Sequence, residues 1–446
     1  MTDAPAQLAT TLREAYRACD TKPLSLADID RYYVPFASRQ NTLSDINGRL
    51  ITTTAGDTAA LLFTGHIGCG KSSELTRIAQ HQQDDFLVVE VQIDETAKVE
   101  DLDYTDLYLI IIQQVEGALR QQGIRLDESL RKSFEEWFLE ITKEQEEVIN
   151  RSVNVEAEAA LGAEAPLLAK FLFKITAQMR GSVTERQRIR QLIKPGTARL
   201  KTDTNLLLRD ANAKIREKDP AKKGLLLILD GLDRCPPNVA KHLFFDYAPQ
   251  LLELNCVIIY TVPIANPYAQ DGVNPAFGPP HIVPMVNVYQ YEQDQPDLDD
   301  NLDGLNSIVS MIEKRVDVKA VFEQRAHLLD MARASGGHVR HMMQMMQAAS
   351  INALGLSQTK IDADNVTYAA KQLQFQFERS TPRAYYLELA RVALHKDFTD
   401  DEIGRELLFS TAVLEYNGNN RWVYPHPLIR RSELFRQALA NLQAGQ

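Results

Sequence analysis

The stretch AALLFTGHIGCGKSSEL, residues 59–75, decides the fold. Its apolar start, AALLF, reads as a short buried strand, and GHIGCGKS (65–72) fits the pattern G-x-x-x-x-G-K-[ST]. Gly65, Gly68 and Gly70 let the backbone curl, so that N–H groups along His66, Ile67 and Cys69 turn toward a phosphate chain. The helix expected to begin at Lys71-Ser72-Ser73 adds the positive end of its dipole. An ammonium at Lys71 suits the β and γ phosphates, and the Ser72 hydroxyl suits Mg²⁺. A chance match in a chain of this length has a probability on the order of 1–2%, with glycine at ~7% of residues. ATP or ADP with Mg²⁺ is therefore the expected ligand.

Working outward, apolar, β-branched runs alternate with helical patterns. FLVVEVQID (86–94), GLLLILD (224–230) and CVIIYTVP (256–263) read as further strands. KSSELTRIAQHQQ, YTDLYLIIIQQVEGALRQQ and HLFFDYAPQLLEL read as the helices between and around them. This order predicts an α/β fold: a parallel sheet flanked by helices, of the P-loop NTPase type, over residues 51–290. Residues 120–222 interrupt it as a mainly helical insertion. Within that insertion RSVNVEAEAALGAEA (151–165) reads equally as a β-hairpin or an amphipathic helix. Beyond an acidic loop, residues 305–378 carry helical patterns, including HVRHMMQMMQAAS, whose methionine stripe is expected in a core. Residues 379–446 read as helices, then two strands around the Asn417-Gly418 turn, then the helix PLIRRSELFRQAL, which suggests a winged helix.

Composition narrows the classes. The 446 residues are enough for two or three domains, with 44% hydrophobic and 24% charged residues, ordinary for a globular protein. No apolar run reaches the ~18–20 residues that span a bilayer, and the N-terminus lacks the charge and apolar core of a signal peptide. Four cysteines lie far apart with no CxxC, and a reducing cytoplasm is the expected home. His338 and His341, three apart on one helix, have no acidic or cysteine partner nearby in sequence and are not expected to bind metal. The net charge of −11 argues against a generally basic nucleic-acid binder. Residues 180–223 run the other way, with 13 basic and 5 acidic residues. They form either a solvated face with counter-charges elsewhere or a surface for nucleic acid or an acidic partner.

The second chemical element is LLLILDGLDR: an apolar strand ending in Asp230 presents a carboxylate that can hold Mg²⁺ through water. Here the chain resembles the AAA-like and STAND branches of P-loop ATPases, and GLLLILDGLDRCPP is similar to the hhhhDGLDE box of NACHT-type STAND proteins. In many AAA+ motors a second acid directly follows the first and activates water; this chain has Gly231 there, which leaves Asp233 as the base. Slow hydrolysis is the expectation, since a water-orienting base contributes ~10²–10⁴-fold.

The same resemblance implies further roles. CVIIYTVP resembles the sensor-1 strand, with Thr261 toward the γ phosphate. SGGHVRHMMQMM resembles the GGxPR box of a helical lid, with Arg340 as second sensor and Val339 in place of the proline. WVYPHPLIRR is similar to the MHDLVR segment whose histidine meets the ADP β-phosphate; His426 matches and Pro427 replaces the aspartate, so His426 reads either as that contact or as a ring that packs the wing. YYVPFASRQNTLSDI resembles the box that cradles adenine, which implies Val34, Pro35 and Arg39 and makes residues 1–50 an N-terminal helix plus adenine-side segment.

Two functions follow as expectations. The first is an ATP-binding, slowly hydrolysing switch whose nucleotide state controls assembly into homo-oligomers or engagement of an effector; the STAND resemblance implies signalling or antiviral defence. The alternative is a DNA-associated AAA-type ATPase of replication initiation, transposition or transcription regulation, with residues 180–223 and Arg430-Arg431 on the nucleic acid.

Overall fold

The computed structural model describes residues 8–142, 167–417 and 420–444; the ambiguous stretch 151–165 and Gly418 of the expected turn lie outside them. The chain forms two compact units, one of Asn47–Phe63 and Ile78–His281, the other of Met1–Ile46, Thr64–Arg77 and Ile282–Gln446.

The first unit is built on a sheet. β1 (Ala59–Gly65), β2 (Phe86–Gln92), β3 (Gly224–Asp230) and β4 (Val257–Pro263) fall on the four expected strands. The full sheet has five strands in the order β2-β3-β4-β1-β5, where β5 (His281–Val283) is a three-residue strand with no signal in the sequence. β2 and β3 run parallel from Phe86↔Gly224 to Gln92↔Asp230, and β3 and β4 from Leu226↔Val257 to Leu229↔Tyr260. Every residue of β3 and β4 is buried, which is why both read as unbroken apolar runs instead of alternating ones.

Helix Tyr104–Gln121 starts on a capping box of Asp103 and Asp106 and buries Leu107 through Ile112. The insertion is helical where described: Glu128–Thr142, Leu167–Met179, Val183–Ile193 and Thr197–Lys218 join one apolar cluster with the sheet. Its basic residues have acidic neighbours in the same unit. Arg190 pairs with Asp106 at 2.5 Å, Arg186 with Asp101 at 3.0 Å and Lys223 with Asp85 at 2.6 Å, and Lys201 pairs with Glu253. The charge excess of 180–223 is thus partly neutralised by the unit that carries it.

One expected helix is broken. HLFFDYAPQLLEL forms a π-turn at His242–Asp246 and a separate short helix at Ala248–Leu252. Pro249 has no N–H to continue an α ladder, and the Tyr247 N–H reaches back five residues to the His242 carbonyl.

The second unit gathers the N-terminal helices as far as Ile46, the glycine loop and the chain from Ile282 onward. Leu12–Ala18 and Leu26–Tyr32 precede a 3₁₀ turn at Ala37–Arg39 and the helix Gln40–Thr52. The lid region contains Leu302–Glu313, Arg325–Ser335, Val339–Gly355 and Ala363–Ser380. Met342, Met343, Met345 and Met346 are at most 4% exposed, so the methionine stripe is core. The C-terminal part runs Tyr386–His395, Glu402–Phe409, then the antiparallel pair β6 (Val413–Tyr416) and β7 (Trp422–Pro425). The final expected helix is two, Pro427–Arg430 and Glu433–Ala444, because the Ser432 hydroxyl accepts the Phe435 N–H and starts the second. Helices followed by a hairpin give the winged-helix-like end that the pattern predicts. Among the described residues no helix is long and apolar enough to cross a membrane.

Candidate functional site: a glycine loop with its carbonyls turned outward

The loop leaves β1 at Gly65 and enters the helix Lys71–Gln82. Its shape depends on glycine at two close approaches. Gly68 has φ +84°, and a Cβ there would sit 2.9 Å from both the Arg340 Cβ and the His338 Cε1. Gly65 would bring a Cβ to 2.6 Å from the Val283 carbonyl oxygen. Gly68→Ala is expected to cost about 1–2 kcal/mol from left-handed strain alone, before the clash with the lid. A thermal-melt comparison checks this, and an unchanged melting temperature would refute the approach.

The loop carbonyls have defined partners. Lys71 Nζ donates to the Gly65 and His66 carbonyls, each at 2.8 Å. His338 Nε2 is 3.0 Å from the Ile67 carbonyl, and the Arg340 N–H donates to the Gly68 carbonyl at 3.1 Å. Arg39 donates to the Cys69 carbonyl at 2.6 Å. With five consecutive carbonyls held this way, the N–H groups of Ile67, Gly68 and Gly70 donate to no acceptor among the described residues. Unpaired amides at the head of a helix form an anion nest.

Arg39 underpins the loop. It is 1% exposed and forms a 3.0 Å ion pair with Glu74, itself 1% exposed, while Nε donates to the Pro284 carbonyl. Tyr33 donates to the other Glu74 oxygen at 2.8 Å and accepts from Arg77. The adenine-side box therefore places Arg39 under the loop, with its guanidinium engaged by protein groups; Val34 is half-buried and Pro35 exposed beside it. Ser72 is half-buried at the helix start, and the Ser73 hydroxyl accepts the Leu24 N–H at 3.2 Å. Glu74 and Tyr33 are supports that sequence reasoning missed; the only available signal was their nearness to named residues.

Four histidines tie the loop to the lid and the winged-helix part of the same unit. The His66 ring accepts the Glu415 N–H at Nε2, 2.8 Å, so its proton is on Nδ1, which donates to the Leu408 carbonyl at 3.1 Å. His338 Nδ1 accepts the His341 N–H, which puts the His338 proton on Nε2, toward Ile67. His426 Nδ1 accepts the Leu428 N–H, and its Nε2–H donates to His341 Nδ1 at 3.0 Å. All four rings are neutral. Burial lowers each pKa, to about 3 for His66 and about 3 for His341, with Lys71 and Arg340 respectively adding to the effect. His338 and His426 are held well below the usual histidine value, by burial first and then by His341. His426, read as a β-phosphate contact or as a ring that packs the wing, has both ring nitrogens engaged by protein. His338 and His341 stack at 3.7 Å, and among the described residues no group of three or more ligating side chains could hold a metal.

In the sheet unit, Asp230 ends β3 and is 4% exposed; its Oδ1 accepts the Gly231 N–H and its Oδ2 the Gln92 amide. Gly231 has φ +91° and opens the 3₁₀ turn Leu232–Arg234, in which Asp233 is 5% exposed and Arg234 pairs with Asp94. Thr261 departs from the sensor-1 expectation. It is fully buried; its hydroxyl accepts the Leu232 N–H at 2.9 Å and donates its only proton to the Leu229 carbonyl at 3.2 Å. It braces the turn after Asp230 and has no second proton for a phosphate.

No protein-family model and no curated protein matches the sequence. Among solved structures, the chain is similar to the ORC2 protein of Aeropyrum pernix in ADPNP–ADP complexes, with 12% identity, 94% of this chain and 98% of that one covered, and a TM-score of 0.39. It is similar to Cdc6p from Pyrobaculum aerophilum, with 11% identity, 94% and 99% coverage and a TM-score of 0.38. A Walker-type ATPase of Pyrococcus abyssi gives 11% identity, 95% and 99% coverage and 0.41. These scores are too low to carry an argument, and the fold rests on the strand order and register described above.

Proposed function

We propose that the protein binds ATP or ADP at the glycine loop and works as a slowly hydrolysing, nucleotide-dependent switch. The observation that carries this reading is the set of unpaired amides at Ile67, Gly68 and Gly70, beside the Lys71 ammonium and ahead of a twelve-residue helix. The switch part of the reading is supported by the bonds from His66, Ile67 and Gly68 to Leu408, Glu415, His338 and Arg340. A ligand that reshapes the loop acts on those bonds, and a ligand shifts a conformational equilibrium only through such differential contacts. Arg340, expected at the terminal phosphate, lines a cleft that Gly70, Lys71 and Ser72 do not reach.

Ser72 and Asp230 are hard oxygen donors of the kind Mg²⁺ takes. Bound Mg²⁺ would neutralise charge on the β and γ oxygens. Asp233 is assigned as the group that orients and deprotonates the attacking water. Asp233→Asn is expected to lower turnover at least about 10²-fold while sparing ATP affinity; steady-state hydrolysis and equilibrium binding on one preparation check it, and unchanged turnover removes Asp233 from the role. Assembly state measured with ATP, with ADP and without nucleotide tests the switch. Identical states in all three would leave a nucleotide-bound scaffold. A signalling or defence role rests on the STAND resemblance. The DNA-associated alternative requires duplex binding that weakens steeply with salt.

A further inference from the structure

A cleft of about 310 Å³ lies within the second unit, lined by Ile67, Arg340, His341, Gln344, Phe377 and Ser410 among others. This volume is at the lower end for small-molecule sites. Its lining contains one cation, Arg340, and no carboxylate. From the glycine loop only Ile67 reaches it; Gly70, Lys71 and Ser72 do not line it.

The polarity of one wall follows from the hydrogen bonds behind it. The Leu428 N–H fixes His426 as an Nε2 donor, and that donor fixes His341 Nδ1 as an acceptor. A neutral His341 must then carry its proton on Nε2. His341 is 8% exposed and lines the cleft, and its Nε2–H meets no acceptor among the described residues. That N–H opens into the cleft, where an incoming oxygen can accept from it. Arg340 beside it favours a charged oxygen. Phe377, edge-on to His341 at 5.6 Å, and Phe409 supply apolar surface for a ring.

We propose that this cleft is a second binding site, separate from the glycine loop, for a small organic anion with a ring-sized apolar body, its anionic oxygen accepting from His341 Nε2–H and Arg340. The anionic group is a phosphomonoester or a carboxylate. Phenyl phosphate and benzoate are the two probes, with phenol as the neutral control, titrated calorimetrically into the full chain. Saturable binding of either anion, retained in Lys71→Ala, is the expected result, and the tighter of the two names the group. His341→Phe and Ser410→Trp, the latter filling the cleft from an exposed position, are expected to weaken it by about tenfold or more, a loss of ~1.4 kcal/mol. Three results overturn the proposal: no saturable binding of either anion, equal binding of phenol, or binding lost in Lys71→Ala but intact in Ser410→Trp. ATP titrated into the same Lys71→Ala protein tests the nucleotide reading separately, so either can fail without the other.

Discussion

Lys71→Ala is expected to lower affinity for ATP and ADP by roughly 10²–10⁴-fold, to the point where direct titration detects no binding. The magnitude comes from what the ammonium does in each state. With a triphosphate bound it makes at least two charge-assisted hydrogen bonds, each about 1.5–3 kcal/mol. In the structure it donates instead to the Gly65 and His66 carbonyls and is 4% exposed. Those carbonyls lose that donor in the variant, so a fall in stability of about 1–3 kcal/mol accompanies the loss of binding. The two effects are separable. A variant that retains its circular dichroism spectrum and melts cooperatively, yet binds no nucleotide, supports the site; wild-type affinity in such a variant would remove the glycine loop as the nucleotide site.

The sequence is most informative where one short segment does the whole job. β1 and β3 occupy the residues expected of them because an apolar run bounded by glycine and aspartate has one reading in a parallel sheet. The glycine loop is legible for the same reason: strand, turn and helix lie within the 24 residues from Ala59 to Gln82. What escapes is whatever depends on distant pairings. Nothing in the spacing of Arg39 says that it will reach the Cys69 carbonyl and Glu74. Thr261 reads as a sensor from its place at a strand tip, but its proton is claimed by Leu229 across the ladder. β5 is too short to leave a pattern, and Pro249 breaks a helix that hydrophobicity alone would continue. The histidines are the sharpest case. His338 and His341 are visible as an i, i+3 pair, yet their meaning comes from Ile67 and His426, which lie 271 and 85 positions away.

That histidine network predicts acid lability of the unit that contains it. His66, His338, His341 and His426 are neutral in the fold, while a histidine in an unfolded chain has a pKa of about 6.5. Above that value the folded and unfolded chains bind the same number of protons here, and the contribution to stability is fully present. Below it the unfolded chain takes up protons that the fold refuses, so stability falls by about 1.4 kcal/mol per pH unit for each histidine. The loss continues down to the folded values, about 3 for His66 and about 3 for His341. One unit below the reference the four together cost about 5–6 kcal/mol, comparable to the whole stability of a small domain. Protonation within the fold is opposed by what the rings face: Lys71 beside His66, Arg340 beside His341, and His341 with Arg431 beside His426. His338 faces the other three rings. Urea titrations from pH 8 to pH 5 check the prediction. Trp422 of β7, 2% exposed, reports on the network's own unit once Trp137 is changed to phenylalanine. The expected unfolding midpoint is flat above about pH 7 and drops steeply below 6.5, with linked proton uptake approaching four. His426→Asn, which removes one titrating ring, is expected to reduce that uptake by about one. A midpoint that stays level from pH 7.5 to pH 5.5 would mean that the rings are not held neutral, and with that the directed bonds that point His341 into its cleft would fall as well.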